Sequence, residues 1–413
     1  MWGFVDWGSQ EHQLCVVDAE DRVVCQRRFR QKPSGLAELC VVLRCPSPGK
    51  PPVQRVGIER NDGPVVDALL EARFEVYAIN PKQLDRFREF IAPSGRKDDK
   101  LDAYVGAVAM RQHPDRFTQL SVPDPWAIVV RDQLSIRGSL VQQQVRLRNR
   151  AREQLQRYYP QFLELGDLQA RWQRALWQQV NTPAKARRVR PQTLAKLLRE
   201  HRVRRYDAQG LLEVLRQEPL LVAEGVVQGA LCRLQCHFGE LDLLYDQLIH
   251  CEKELELLLR QRDAQERTLL APGEPTDIEL MRQLPGFGTV VVATLHAHGS
   301  VALEARDWQL LRTRAGVAPV SRLTGKKQNR FHKRQKPSVR MRRACSAPLR
   351  EALFHAARSA MQLSPFYKAR YQRYRLKGHT HGRTCRQLGD HMLRVMVAML
   401  RSRQPFDPEL LIS

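Results

Sequence analysis

No stretch of the 413 residues strings together the roughly 18 apolar side chains that a membrane-crossing helix needs. Met1 to Val17 breaks its short apolar pattern with Asp6, Glu11 and His12, so a secretory leader is not expected either. Nine cysteines are present, but they are scattered and form no metal-spaced quartet; an odd number of them without a leader points to reduced thiols in a cytoplasm. Acidic residues are in short supply. Asp and Glu number 44 against 68 Lys and Arg, a formal charge of +24, and such a surplus points to a polyanion, usually nucleic acid. The length exceeds one simple domain, and three regions are expected: 1–125, 126–270 and 271–413.

In the first region, Trp2 to Trp7, Leu14 to Val17 and Val23 to Phe29 read as three antiparallel strands joined by turn residues. A helix is expected from Gly35 to Leu43 with Ser34 as its cap, then a strand from Arg55 to Glu59. Pro64 to Ala72, Phe74 to Ile79 and Pro81 to Phe90 read as helix, strand and helix. Three strands, helix, strand, helix, strand, helix is the order of an α/β ribonuclease H-like fold.

Against the basic background, the run Lys97-Asp98-Asp99-Lys100-Leu101-Asp102-Ala103 stands out. Asp99 and Asp102 are three apart and share a helix face, where like charges repel. The flanking lysines, a shifted protonation state or a divalent cation can relieve them. Taken alone, the run reads as a solvated acidic turn. The ribonuclease H-like order, however, carries Asp6, Glu59, Asp99 and Asp102 to one sheet edge, and carboxylates gathered there can hold one or two magnesium ions for phosphoryl chemistry.

Beyond residue 125 the pattern turns helical. Trp126 to Tyr159 mixes Arg131, Arg137, Arg146, Arg148, Arg150 and Arg152 with leucines, which suits either a solvated face or a phosphate-contacting one. Pro183 to Tyr206 is more basic still and reads as a segment that orders on a polyanion or as a mobile linker. Leu231, Leu234, Phe238, Leu241, Tyr245, Leu248, Leu255 and Leu259 follow coiled-coil spacing; such a seam can pair within the chain, but self-association is the expectation. Cys232, Cys236 and His237 on that helix lack a fourth ligand and read as ordinary helix residues.

Leu284-Pro285-Gly286-Phe287-Gly288 between two helices is either a helix-hairpin-helix, with Gly286 and Gly288 opening the backbone to a phosphate, or a tight packing turn. Further on, Ser321 and Thr324 stand beside Gly325 among Lys326, Lys327, Arg330, Arg340, Arg342 and Arg343. Hydroxyls in so cationic a setting suit attack on, or binding of, a phosphate. Helices are expected over Pro348–Leu363 and Cys385–Arg401, with a His-rich turn at Gly378–Gly382 between them.

Asp6, Glu59, the Lys97–Ala103 run, the Leu284–Gly288 hairpin, Ala315–Pro319, Met341–Cys345 with Leu349-Arg350, and Gly378–Arg383 together resemble the DEDD-type insertion-sequence transposases. That group includes the Piv-type DNA invertases and the RNA-guided bridge recombinases. The resemblance runs over nearly the whole chain. It implies a RuvC-like N-terminal domain holding magnesium through Asp6, Glu59, Asp99 and Asp102, and a helical C-terminal domain whose serine joins covalently to DNA. It also implies a homo-oligomer, a dimer or tetramer, and in some members a guide RNA from the element's noncoding end. The family serine stands directly before the glycine that here is Gly325, a place taken by Thr324. Three outcomes follow: Thr324 acts as nucleophile, Ser321 replaces it, or this copy is inactive. The competing functional classes are a RuvC-like structure-specific nuclease using water, and a non-catalytic nucleic-acid-binding protein.

Overall fold

The computed structural model describes residues 1–91, 98–120, 124–166, 168–322 and 338–408, and the chain divides into two units, 1–124 and 125–413. In the first unit, β1 (Trp2–Asp6), β2 (Glu11–Val17) and β3 (Val23–Arg30) form an antiparallel meander. Then come α1 (Pro33–Arg44), β4 (Arg55–Ile58), α2 (Pro64–Glu71), β5 (Glu75–Ala78), α3 (Pro81–Ile91), α4 (Asp99–Gln112) and a two-residue strand β6 (Thr118–Gln119). The sheet order is β3-β2-β1-β4-β5-β6, with β4 parallel to β1 and to β5, and β6 antiparallel to β5. This is a mixed-sheet α/β unit. Helix α1 begins one residue before the expected cap: Pro33 takes the first helical position, where its missing N–H costs nothing, and Lys32 rather than Ser34 is the N-cap.

The strands alternate their side chains between two cores. Val5, Leu14, Val16, Val56 and Ile58 pack with Leu39 and Leu43 of α1 and Val66 and Leu69 of α2. Phe4, Cys15 and Val17 face the other way, onto Ala103, Val105 and Ala107 of α4. The contact of α4 with β1 is unusually close because Gly106 has no side chain: a Cβ there would lie 2.3 Å from Cγ of Phe4, and one on Gly57 would lie 2.7 Å from Cδ2 of the same ring. The fully buried Phe4 ring fills the space two glycines leave.

The second unit is mainly helical. Its long helices α5 (Pro125–Tyr158) and α10 (Glu224–Arg267) lie antiparallel: Trp126 Nε1 donates to the Leu258 carbonyl at 2.9 Å, Cys251 Sγ to the Gln133 carbonyl at 3.3 Å, and Arg137 Nε to Glu252 at 2.9 Å. Between them in sequence stand four short helices, α6 (Arg171–Gln179), α7 (Pro183–Arg188), α8 (Pro191–Glu200) and α9 (Ala208–Leu215). After α10 follow α11 (Asp277–Gln283), α12 (Thr289–Glu304), α13 (Trp308–Arg314), the paired strands β7 (Pro319–Arg322) and β8 (Ser338–Met341), and α14 (Ala347–Leu363), α15 (Pro365–Leu376) and α16 (His381–Ser402). No helix among the described residues is long and apolar enough to cross a membrane.

Two sequence expectations are corrected here. The leucine seam expected to bind a second copy is filled within the chain: Leu234, Phe238, Leu241 and Leu244 enter one core with α5 to α9, while Leu255 and Leu259 enter another with α11 to α16. A seam of this period packs on any apolar stripe, and α5 supplies it locally. Nor is 183–206 a linker or a segment awaiting a polyanion. Thr182 caps α7, with its side chain accepting from Lys185 N, and Pro191 opens α8, whose Leu194, Leu197 and Leu198 are buried.

Candidate active site

Asp6 is the last residue of β1, and its neighbour Val5 pairs in register with Ile58 at the end of β4. Glu59 follows immediately, so the two acids leave adjacent parallel strands side by side, at the roughly 4.8 Å spacing of a sheet. The third element arrives through the close packing just described. Asp6 lies two residues beyond Phe4, on the same strand face and about 6.6 Å further on. Asp102 lies four residues before Gly106, on the same helix face and about 6 Å back along the axis. With Phe4 seated on Gly106, the two aspartates are carried to the same level.

The electrostatics agree. Asp6 is pushed up to about 7, first by burial and then by the negative charges of Asp102, Glu59 and Asp99, with Arg88 pulling it back. The charges of the other three predicted acids thus all reach Asp6. Asp99 is exposed and carries a 3.4 Å contact to Arg28, and Asp98 caps α4 by accepting from Lys100 N at 3.0 Å. Lys97 lies outside the described residues.

Asp102 is buried, and Arg88 Nε from α3 reaches its Oδ1 at 2.6 Å while also bridging Asp85 at 3.1 Å. Neither Arg88 Nε nor Asp102 Oδ1 makes an aligned hydrogen bond in that contact, so charge rather than directed bonding holds it. Sequence reading does not single out Arg88; a cation three residues from Asp85 on an amphipathic helix looks like an ordinary solvated pair. As placed, no three acidic, His or Cys side chains among the described residues draw together as ligands. The donor set nonetheless fits a hard cation. It consists of carboxylate oxygens at one edge, charged enough to raise Asp6 and already needing a guanidinium as countercharge.

In the second unit, Ser321 belongs to β7 and Arg340 to β8, while Thr324, Lys326, Lys327 and Arg330 lie outside the described residues. Arg342 is tied into its own turn, donating from Nε to the Ala344 carbonyl at 3.0 Å and accepting at its carbonyl from Arg350; Arg343 is exposed. The hairpin has a packing role for one glycine. Gly286 has φ +86°, and a Cβ there would lie 2.3 Å from the Ala356 carbonyl oxygen, so the turn sits directly on α14. Gly288 has open space around it and is the N-cap of α12. An anion from within the chain already meets that helix start. Glu256 accepts from Thr289 Oγ1 at 2.8 Å and from Arg282 at 3.0 and 2.6 Å, and Arg282 above all holds its carboxyl down to about 2. Of the α5 arginines, Arg131 donates to the Ala297 carbonyl at 2.6 Å and Arg137 pairs with Glu252, so both are structural.

Comparison with known proteins places these features in context. A family described as "Transposase" matches residues 5–160, and one described as "Transposase IS116/IS110/IS902 family" matches residues 278–372. The chain is 46% identical over 206 residues to the putative transposase y4uE of Sinorhizobium fredii, covering 49% of this chain and 57% of that protein. It is 27% identical over 426 residues to the mini-circle putative transposase for IS117 of Streptomyces coelicolor, covering 98% and 95%. An uncharacterized 42 kDa protein of insertion element IS900 from Mycobacterium paratuberculosis is 22% identical, covering 99% and 97%.

Proposed function

The chain belongs to the IS116/IS110/IS902 family of transposases, and from that premise we propose that it cuts and rejoins DNA through Asp6, Glu59, Asp99 and Asp102 together with a hydroxyl of the Ser321–Thr324 segment. The observation that supports the reading is the place of Asp6, at the end of β1 beside the end of β4 from which Glu59 follows, where the negative charges of Asp102, Glu59 and Asp99 all bear on it. The four carboxylates are the residues that would hold magnesium, and what a bound magnesium supplies is neutralisation of charge on the phosphate under attack. Arg88 keeps Asp102 at the cluster, and the Phe4–Gly106 packing keeps α4 pressed to β1.

In the exchange step the hydroxyl oxygen bonds to a DNA phosphorus and the bond from phosphorus to one strand oxygen breaks. The proton lost by the hydroxyl balances the one gained by the departing strand end. The protein–DNA phosphoester conserves the broken linkage, so another strand end reverses the step without a nucleotide cofactor. Thr324 stands where the family has serine; its β-methyl group narrows the rotamers open to the attacking oxygen, but threonine remains a competent nucleophile type. The reading extends to cytoplasmic action as a homo-oligomer joined by surfaces other than the α10 seam, and to a guide RNA from the element's noncoding end, which would co-purify with the chain.

The test is denaturing-gel capture of a covalent protein–DNA adduct on element-end DNA with magnesium. The adduct is expected from the parent chain and absent from Asp102→Ala and from Thr324→Ala, with Ser321→Ala retaining it. Strand cleavage that persists in the Thr324→Ala/Ser321→Ala double variant, with no adduct in any variant, overturns this reading in favour of a water-using nuclease.

A further inference from the structure

The four short helices between α5 and α10 fall in 161–277, the stretch between the two family matches. From 183 to 206 the sequence carries nine Lys and Arg against one acid, Glu200. Two of the nine have intramolecular work: Lys196 stands 3.9 Å from Glu200, and Arg205 donates to the Leu165 carbonyl and lies over the Trp172 and Tyr206 rings. Lys185, Arg187, Arg188, Arg190, Arg199, Arg202 and Arg204 are all exposed, and no acid, carbonyl or ring of the described chain engages them.

These seven stand on a firm base. Leu194, Leu197, Leu198, Leu211, Leu212 and Leu215 are buried in one core with α5 and α10. Arg216, at the end of α9, donates to the carbonyls of Ala186, Arg187 and Val189 and so fixes the α7–α8 junction from below. The turn after α8 is closed by Val203 N donating to the Leu198 carbonyl at 2.8 Å, with Arg202 at φ 54°, a left-handed position where glycine or asparagine is ordinary. A repelling cation is kept even there.

We propose that this exposed run of seven cations, carried by α7, α8 and the turn after them, is a binding site for the phosphate backbone of a nucleic-acid duplex. Six of the seven are arginines, whose planar fork matches phosphate oxygens. No large apolar side chain is exposed between 183 and 206, so the face has nothing to insert into a lipid surface. The one acid in the segment is spoken for, and Asp207 just beyond it caps α9 through Gly210 N. Phosphate contacts of this kind position a duplex without reading its bases. The inference rests on the reading of the chain as a protein that handles DNA and adds a second point of contact, remote in sequence from the acids.

The experiment is equilibrium binding of the full chain to a mixed-sequence 30-base-pair DNA duplex, and in a parallel arm to an RNA duplex, across a series of salt concentrations. The triple variant Arg187→Gln/Arg188→Gln/Arg190→Gln is compared with a charge-matched control of exposed cations, Arg233→Gln/Lys253→Gln/Lys50→Gln. For the triple variant, log K against log salt is expected to flatten by about 0.9 for each DNA phosphate that is no longer neutralised, roughly 2 to 3 in all. The control is expected to keep nearly the parent slope, and Lys at the same three positions to restore most of it. A larger loss in one arm than the other identifies which duplex the face holds. A triple variant matching the control in both arms overturns the inference and leaves the proposed strand chemistry standing. A parent chain that binds neither duplex overturns both.

Discussion

The molecule collects like charge in two places and solves the repulsion differently in each. At the sheet edge, the half-buried Asp6 feels the charges of Glu59, Asp99 and the buried Asp102, and Arg88 stands against Asp102 as countercharge. On the α7–α8 face, seven cations stand in water over a leucine core, and nothing in the described chain neutralises them. Low dielectric makes buried repulsion costly, whereas water and salt screen the exposed set. A buried cluster must therefore be held together by packing and a resident partner, and an exposed one needs only a rigid base.

The strongest way to break the buried half of this comparison is Gly106→Leu. It drives a side chain into the Phe4 ring and lifts α4 from β1, and the expected result is a loss of at least about 3 kcal/mol in the first unit by denaturant unfolding, with adduct formation abolished. Next in size is Arg88→Met, which strands the buried Asp102 charge. About 2 to 3 kcal/mol of stability should go in metal-free buffer, with much of it regained in millimolar magnesium if carboxylates and cation meet as proposed. A melt insensitive to magnesium in both parent and variant speaks against that meeting.

Glu256 offers an intermediate case, a carboxylate paired with Arg282 at the start of α12. Its pKa is depressed, so its contribution, about 1 to 2 kcal/mol, is complete above the ordinary glutamate range and is lost as pH falls from about 4.5 through about 2. Acid titration of the unfolding free energy should show that leg in the parent and a shallower one in Glu256→Gln. Smallest of all is the exposed face. The Arg187→Gln/Arg188→Gln/Arg190→Gln variant should melt within about 0.5 kcal/mol of the parent, or slightly above it, because it relieves repulsion without disturbing the core.

The neighbourhood of Asp6 and Glu59 is legible because strand order alone carries them to the ends of adjacent strands. What holds the third member there is not legible: nothing local in the sequence says that Phe4 meets Gly106, a contact 102 residues apart, or that Arg88 turns inward. The leucine run of α10 reads correctly as a packing seam and wrongly as one with an outside partner, since period does not say which chain supplies the opposing stripe. Residues 183–206 mislead in the opposite direction. Their short helices are too brief to show a period, and charge hides three buried leucines. The β7–β8 pair and α15 also escape a reading of the sequence, the former because each strand has only four residues.

The antiparallel run of α5 against α10 has one more implication. The register that sets Trp126 beside Leu258 and Gln133 beside Cys251 brings Tyr158 level with the opening turns of α10, so the chain leaves for α6 and returns after α9 at neighbouring points. The four helices thus form an excursion that closes on itself at one end of the α5–α10 pair. Lengthening or shortening that excursion would leave the register of α5 on α10 as it is.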